Sequence, residues 1–177
     1  MKELLKALID AESTPEKGEL AAAEVVSAEF RRAGIDSAID AWDSTRANIV
    51  ARVKSDGSGP GLLFACHLDV VAPGETPWEH PPFEALETDG RIYGRGAVDM
   101  KGGTAAAVTA IRRIVESGTK LHGDIIFLAS AGEEVDSCGA IRFAANYDHL
   151  PELAGVVIPE PTDFDVISAH RGMLWLE

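Results

Sequence analysis

The sequence predicts an α/β fold, a three-layer sandwich in which a mostly parallel central sheet is flanked by helices. Three observations point there. Short continuous apolar runs, LLFAC (Leu62–Cys66), DIIFLASA (Asp124–Ala131) and GVVI (Gly155–Ile158), read as strands buried on both faces. They alternate with segments of helical periodicity, and that alternation builds parallel sheets through crossover connections. The chain has 177 residues, 46% hydrophobic and 25% charged, enough to bury one full core.

The elements follow in order. Leu4, Leu5, Leu8 and Ile9 put an apolar stripe on a first short helix. Ser13, Thr14 and Pro15 start a second, with Glu16 completing an S-x-x-E capping box and Gly34 stopping it after Ala33. Residues 35–41 and 47–53 alternate or are rich in β-branched side chains and form two strands, followed by a turn at SDGSGPG (Ser55–Gly61). Beyond LLFAC, Leu68–Gly90 contains Pro73, Pro77, Pro81 and Pro82 and reads as a long irregular loop, a kind that is usually functional in a compact domain. Met100–Glu116 is strongly helical up to Gly118, and Ser137–Asn146 makes a further helix between the second and third buried strands.

Charge narrows the function classes. Sixteen Lys and Arg against 29 Asp and Glu give a formal charge of −13, which argues against a nucleic-acid backbone or an anionic membrane as partner. A cationic ligand or metal ions fit better, with most of the acids forming a solvated surface. Cys66 and Cys138 are far apart and lack a CxxC spacing, so neither a disulfide framework nor a thiolate zinc site is expected. The opening MKELLKALIDA interleaves charges with Leu, unlike a signal peptide, and no apolar run approaches bilayer-spanning length. A cytoplasmic enzyme or binding domain is the expectation.

In open α/β sheets ligands collect outside the carboxyl ends of the strands. Here those ends are rich in metal-ligating side chains: His67 and Asp69 after LLFAC, Glu133 and Glu134 after DIIFLASA, Glu160 after GVVI, and Asp99 just before the long helix. In extended backbone His67 and Asp69 point the same way, so Asp69 is placed to orient the imidazole. Of the adjacent Glu133 and Glu134, one is free to bind a metal while the other serves as a base. Each signal is weak alone: H-x-D is often a structural pair, Asp99 reads equally as a helix N-cap, and Glu160 between two prolines as a turn. Their convergence is the argument, because several acids in one crevice repel unless a cation sits among them. Nitrogen and oxygen donors without thiolates suit Zn²⁺, Co²⁺ or Mn²⁺, and two such ions sharing a carboxylate would promote hydrolysis.

These residues fall within a recognisable pattern. HLDVVAPGETPW (67–78), PPF (81–83), DGRIYGRGAVDMKGG (89–103), GEEVDSCGA (132–140), PEPT (159–162) and HRGMLWLE (170–177) together resemble the M20 metallopeptidases, a group that includes acetylornithine deacetylase, succinyl-diaminopimelate desuccinylase, aminoacylase and carboxypeptidase G2. The resemblance implies that His67, Asp99 and Glu160 hold one zinc, that Asp99 bridges to a second zinc bound also by Glu134, and that Asp69 orients His67. Glu133 would be the general base in cleavage of an N-acyl amino acid or short peptide. Arg95 and Lys101 lie inside the pattern and are read as a structural ion pair. Family members are longer. They carry a lid or dimerisation domain after a strand like HRGMLWLE, and a late histidine for the second zinc; His80, His122, His149 and His170 do not match it.

The chain therefore reads as the N-terminal part of a catalytic domain, residues 1–168, with 169–177 as the start of the lid domain or a linker strand to it, the lid being the part through which the whole protein would form a homodimer. Two other readings compete. A scaffold module that keeps the fold without turnover is the first. Nucleotide binding at Gly94-Arg-Gly96 is the second, and Asp99, standing where G-x-G-x-x-G needs its last glycine, opposes it by repelling a pyrophosphate.

Overall fold

The computed structural model describes residues 1–147 and 150–169. Among the described residues eleven elements follow in order: α1 (Lys2–Asp10), α2 (Leu20–Arg32), β1 (Ser37–Ala41), β2 (Ala47–Val53), β3 (Gly61–His67), β4 (Leu86–Thr88), β5 (Arg91–Tyr93), α3 (Lys101–Glu116), β6 (Ile125–Ser130), α4 (Cys138–Asn146) and β7 (Leu153–Val157). The main sheet has the order β1-β2-β6-β3-β7, and β4-β5 form a separate hairpin.

The α/β sandwich is as expected, with a mixed sheet. β3 pairs in parallel with β6 on one side and β7 on the other, whereas β2 runs antiparallel to β6 and β1 antiparallel to β2. The parallel half is the half whose strand ends carry His67, Glu133, Glu134 and Glu160. Its crossovers run in opposite directions, β3 to β6 through α3 and β6 back to β7 through α4, so a common handedness puts α3 and α4 on opposite faces.

Strand alternation divides the core accordingly. Along the wholly buried β6, Ile125, Phe127 and Ala129 join Phe30, Val108 and Ile111 under α1, α2 and α3, with the Phe30 and Phe127 rings edge to face at 5.1 Å. Ile126 and Leu128 face the other way and pack with Leu63 and Phe143 beneath α4.

Three local readings are corrected. The capping box does not form, and α2 begins at Leu20 rather than at Ser13. The Ser13 hydroxyl, fully buried, donates to the Leu68 carbonyl at 2.7 Å, and the Ser13 carbonyl accepts from the Val70 amide, so its polar groups tie the start of the chain to the end of β3. The proline-rich segment is not wholly irregular, because β4 and the start of the β4–β5 turn lie within it. β7 forms, but as an edge strand: Val156 and Val157 are exposed because, among the described residues, only β3 pairs with it. HRGMLWLE, with His170, and likewise His149 lie outside the described residues.

Candidate metal centre

β3, β6 and β7 are mutually parallel, so their carboxyl ends open on one edge of the sheet. His67 is the last residue of β3 and is only 2% exposed. Its Nδ1 lies 3.0 Å from the backbone carbonyl of Asp69 and 3.5 Å from that residue's carboxylate. The carbonyl is the nearer acceptor and fixes Nδ1 as the donor, which leaves Nε2 as the outward-facing nitrogen.

Around Nε2 the predicted acids converge from three elements. Asp99 Oδ1 lies at 3.2 Å, Glu160 Oε1 at 3.4 Å and Glu133 Oε2 at 3.9 Å. Glu134 completes the group: one donor atom each from His67, Asp99 and Glu134 falls within a mutual 4.8 Å. Asp99 does not cap α3. The residue at the helix N-cap is Met100, with no side-chain cap, so the Asp99 carboxylate is left to face the imidazole.

Asp69, 1% exposed, has more partners than an orienting acid needs. Its two carboxylate oxygens accept the backbone amides of Glu133 at 3.0 Å and Glu134 at 2.9 Å. One residue therefore meets His67 through its carbonyl and both glutamates through its carboxylate. Burial would push the Asp69 carboxyl up, but His67 and these amides hold it below the usual range.

Electrostatics in the crevice is dominated by its crowded carboxylates. Burial alone would push the His67 imidazole down, yet the carboxylates of Asp69, Glu160 and Glu133 raise it to about 9. Burial, with Asp99 and Glu133 nearby, pushes Glu160 up to about 7 despite the opposing pull of His67. Burial and Asp99 likewise raise Glu134. Crowding raises these carboxylates because like charges oppose one another, a divalent ion among them would relieve that repulsion, and imidazole plus carboxylates is a donor set that suits one.

Two sequence readings change at the periphery. Among the described residues Lys101 makes no ion pair: its buried ammonium donates to the carbonyls of Leu8 at 2.7 Å and Ala11 at 3.1 Å, capping the C-terminal end of α1. Arg95 instead lies 5.0 Å over the Trp78 ring and reaches the Ala72 carbonyl. Sequence reasoning missed Arg46 and Asn48. Arg46 Nε donates to the buried Glu19 at 2.8 Å and its Nη2 contacts Cys138 Sγ at 3.1 Å; Asn48 bonds the backbone on both sides of the Glu133–Glu134 loop.

Residues 63–169 match the family model for peptidase family M20/M25/M40. The chain belongs to this family. M20-family relatives include a probable succinyl-diaminopimelate desuccinylase of Staphylococcus epidermidis, 40% identical over 142 residues that make up 79% of this chain and 34% of that protein. Another is the succinyl-diaminopimelate desuccinylase of Gluconacetobacter diazotrophicus, 39% identical over 170 residues, 92% of this chain and 43% of that protein. The chain thus spans about a third to two fifths of the curated relatives' length. Among solved structures, an M20 metallo-carboxypeptidase from Sulfolobus solfataricus superposes with a TM-score of 0.77 at 21% identity, over 89% of this chain and 36% of that one. A dinuclear metal-binding M20 peptidase from Bacillus subtilis does so with a TM-score of 0.63 at 18% identity, over 89% and 42%. At such identities these two show the shared fold.

Proposed function

We propose that this chain is the metal-binding part of a hydrolase that cleaves the amide bond of an N-acyl amino acid or short peptide. The observation that carries the reading is the single outward nitrogen of buried His67 with Asp99, Glu160 and Glu133 oxygens within 3.9 Å, all from strand ends or a helix start. His67, Asp99 and Glu160 would hold one ion, and Asp99 with Glu134 would contribute to a second. Zn²⁺ suits these donors, and Co²⁺ or Mn²⁺ can substitute. When bound, such ions polarise a carbonyl oxygen and make water acidic near neutral pH.

The protein's own part in the reaction falls to Glu133 and Asp69. Glu133 is half-exposed, facing the crevice, and takes a proton from the attacking water. The new C–O bond forms at the acyl carbon, the C–N bond breaks, and Glu133 returns the proton to the leaving amine. Asp69 fixes the His67 ring and, through two backbone amides, the loop that carries Glu133. The named activity of the desuccinylase relatives favours an acyl group that itself carries a carboxylate. We read residues 1–168 as catalytic-domain sequence of a longer polypeptide whose further domain completes the substrate pocket and dimerises. The free Cys66 and Cys138 are in keeping with a reducing, cytoplasmic setting.

Elemental analysis of the dialysed chain tests the metal assignment. One tightly held Zn²⁺ per chain, absent from His67→Ala, is expected; no retained metal, or metal indifferent to that substitution, overturns it. On the longer polypeptide, Glu133→Gln should abolish hydrolysis of N-succinyl amino acids while metal stays bound. Hydrolysis that survives removes Glu133 from the mechanism.

A further inference from the structure

The loop that presents Glu133 and Glu134 leaves β6 at Ala131 and enters α4 at Gly139. Its two ends are clasped together. The Gly139 amide donates to the Ala131 carbonyl at 3.0 Å. Across the same gap lies the side chain of Asn48, 1% exposed, from the start of β2. Its Nδ2 donates to the Gly139 carbonyl at 2.9 Å, and its Oδ1 accepts the Ala131 amide at 3.0 Å. The amide side chain therefore bridges both ends as a backbone peptide would, giving the Ala131 amide an acceptor just beyond β6 and the Gly139 carbonyl a further donor. No room is left for another arrangement: a Cβ on Gly139 would lie 2.3 Å from Asn48 Oδ1 and 2.4 Å from the Ala131 nitrogen. At the far side of the loop, Asp69 holds the Glu133 and Glu134 amides.

We infer that Asn48 is a positioning residue for Glu133 and Glu134, clamping the base of the loop whose tip Asp69 holds. Asp69 fixes the Glu133 and Glu134 amides, and Asn48 ties the loop's two ends together alongside the Gly139–Ala131 backbone bond, a role that needs no contact with substrate or metal. The inference rests on the reading that Glu133 and Glu134 serve the site, and its experiment separates the two.

The 177-residue chain is compared as wild type, Asn48→Ala, Gly139→Ala and, as a destabilised control far from the loop, Val26→Ala. Hydrogen exchange in the metal-free chain is read at the Glu133 and Glu134 amides relative to the β3–β6 ladder. With the clasp broken, these two amides should lose about tenfold in protection relative to the ladder, the equivalent of one hydrogen bond. Val26→Ala should lower the melting temperature and leave the ratio unchanged. Co²⁺ affinity, followed by visible absorption, should fall about tenfold in either clasp variant and not in Val26→Ala. Gly139→Ala breaks the clasp from the other side and decides the matter if Asn48→Ala does not fold. An unchanged exchange ratio, or lost protection with Co²⁺ affinity intact, overturns the inference. If the wild type shows no His67-dependent Co²⁺ binding, the reading of the site fails, and Asn48 is judged on the exchange ratio alone.

Discussion

Gly103 in the first turn of α3 connects helix packing to the position of Glu160. A Cβ at this residue would lie 2.2 Å from the Pro159 carbonyl oxygen and 3.0 Å from the Pro159 side chain. Ordinary contact begins near 3.4 Å, so Gly103→Ala must drive the two backbones apart by about 1.2 Å. Pro159 immediately precedes Glu160, whose carboxylate stands 3.4 Å from His67 Nε2. Overpacking of this kind costs about 1–3 kcal/mol, and roughly 1 kcal/mol returns because Ala is the better helix former. The melting temperature should therefore fall by only a few degrees. Metal binding is far less tolerant, since ligand distances hold to about 0.2 Å, and a displacement near 1 Å should weaken Co²⁺ binding by at least about tenfold. Thermal melts and Co²⁺ titrations of the 177-residue chain measure both quantities. Gly155→Ala is the control, because its added Cβ meets nothing within 4 Å. Wild-type Co²⁺ affinity in Gly103→Ala would refute the proposed link between α3, Pro159 and Glu160.

Two further substitutions test the frame around the site. Asp69→Asn retains one acceptor but turns an amide group toward the Glu133 or Glu134 N–H, so a part-buried donor loses its partner. Urea unfolding of the metal-free chain should show a loss of about 1–3 kcal/mol, and an unchanged stability would count against Asp69 as the anchor of that loop. Arg46→Met removes the guanidinium that pairs with Glu19, which is 1% exposed and whose carboxyl is already raised by burial. The loss at neutral pH should be about 3–5 kcal/mol. An acid whose folded-state value is raised favours folding below its unfolded value, about 4.3, and loses that advantage as pH rises through the folded value. The defect should accordingly shrink as unfolding is measured nearer pH 4.5, and a defect equal at both pH values would contradict an unpaired buried Glu19.

Much of this site is legible in sequence because a parallel sheet confines chemistry to one edge. LLFAC and DIIFLASA are continuous apolar runs because β3 and β6 are covered on both faces, and the residues that follow such runs must lie at the same end of the sheet. His67, Asp69, Glu133, Glu134 and Glu160 could therefore be collected without coordinates. What sequence could not show was which of two local roles a polar residue takes when a distant group competes for it. Ser13 reads as a cap until the Leu68 carbonyl claims its hydroxyl, and Asp99 reads as a cap until His67 draws its carboxylate away from α3. The two strands of the β4–β5 hairpin are too short for periodicity to register, and β7 has the apolar composition of a central strand while lying at the edge. Asn48 and Arg46 are harder still, because each meets partners more than 90 residues away around the Ala131–Gly139 loop. A ligand's side chain is conspicuous by type, whereas the residue that holds its loop is an ordinary amide whose meaning is set by the backbone it bridges. The imidazole and carboxylates that gather at this sheet edge were thus readable from sequence, and the residues that hold them there required the fold.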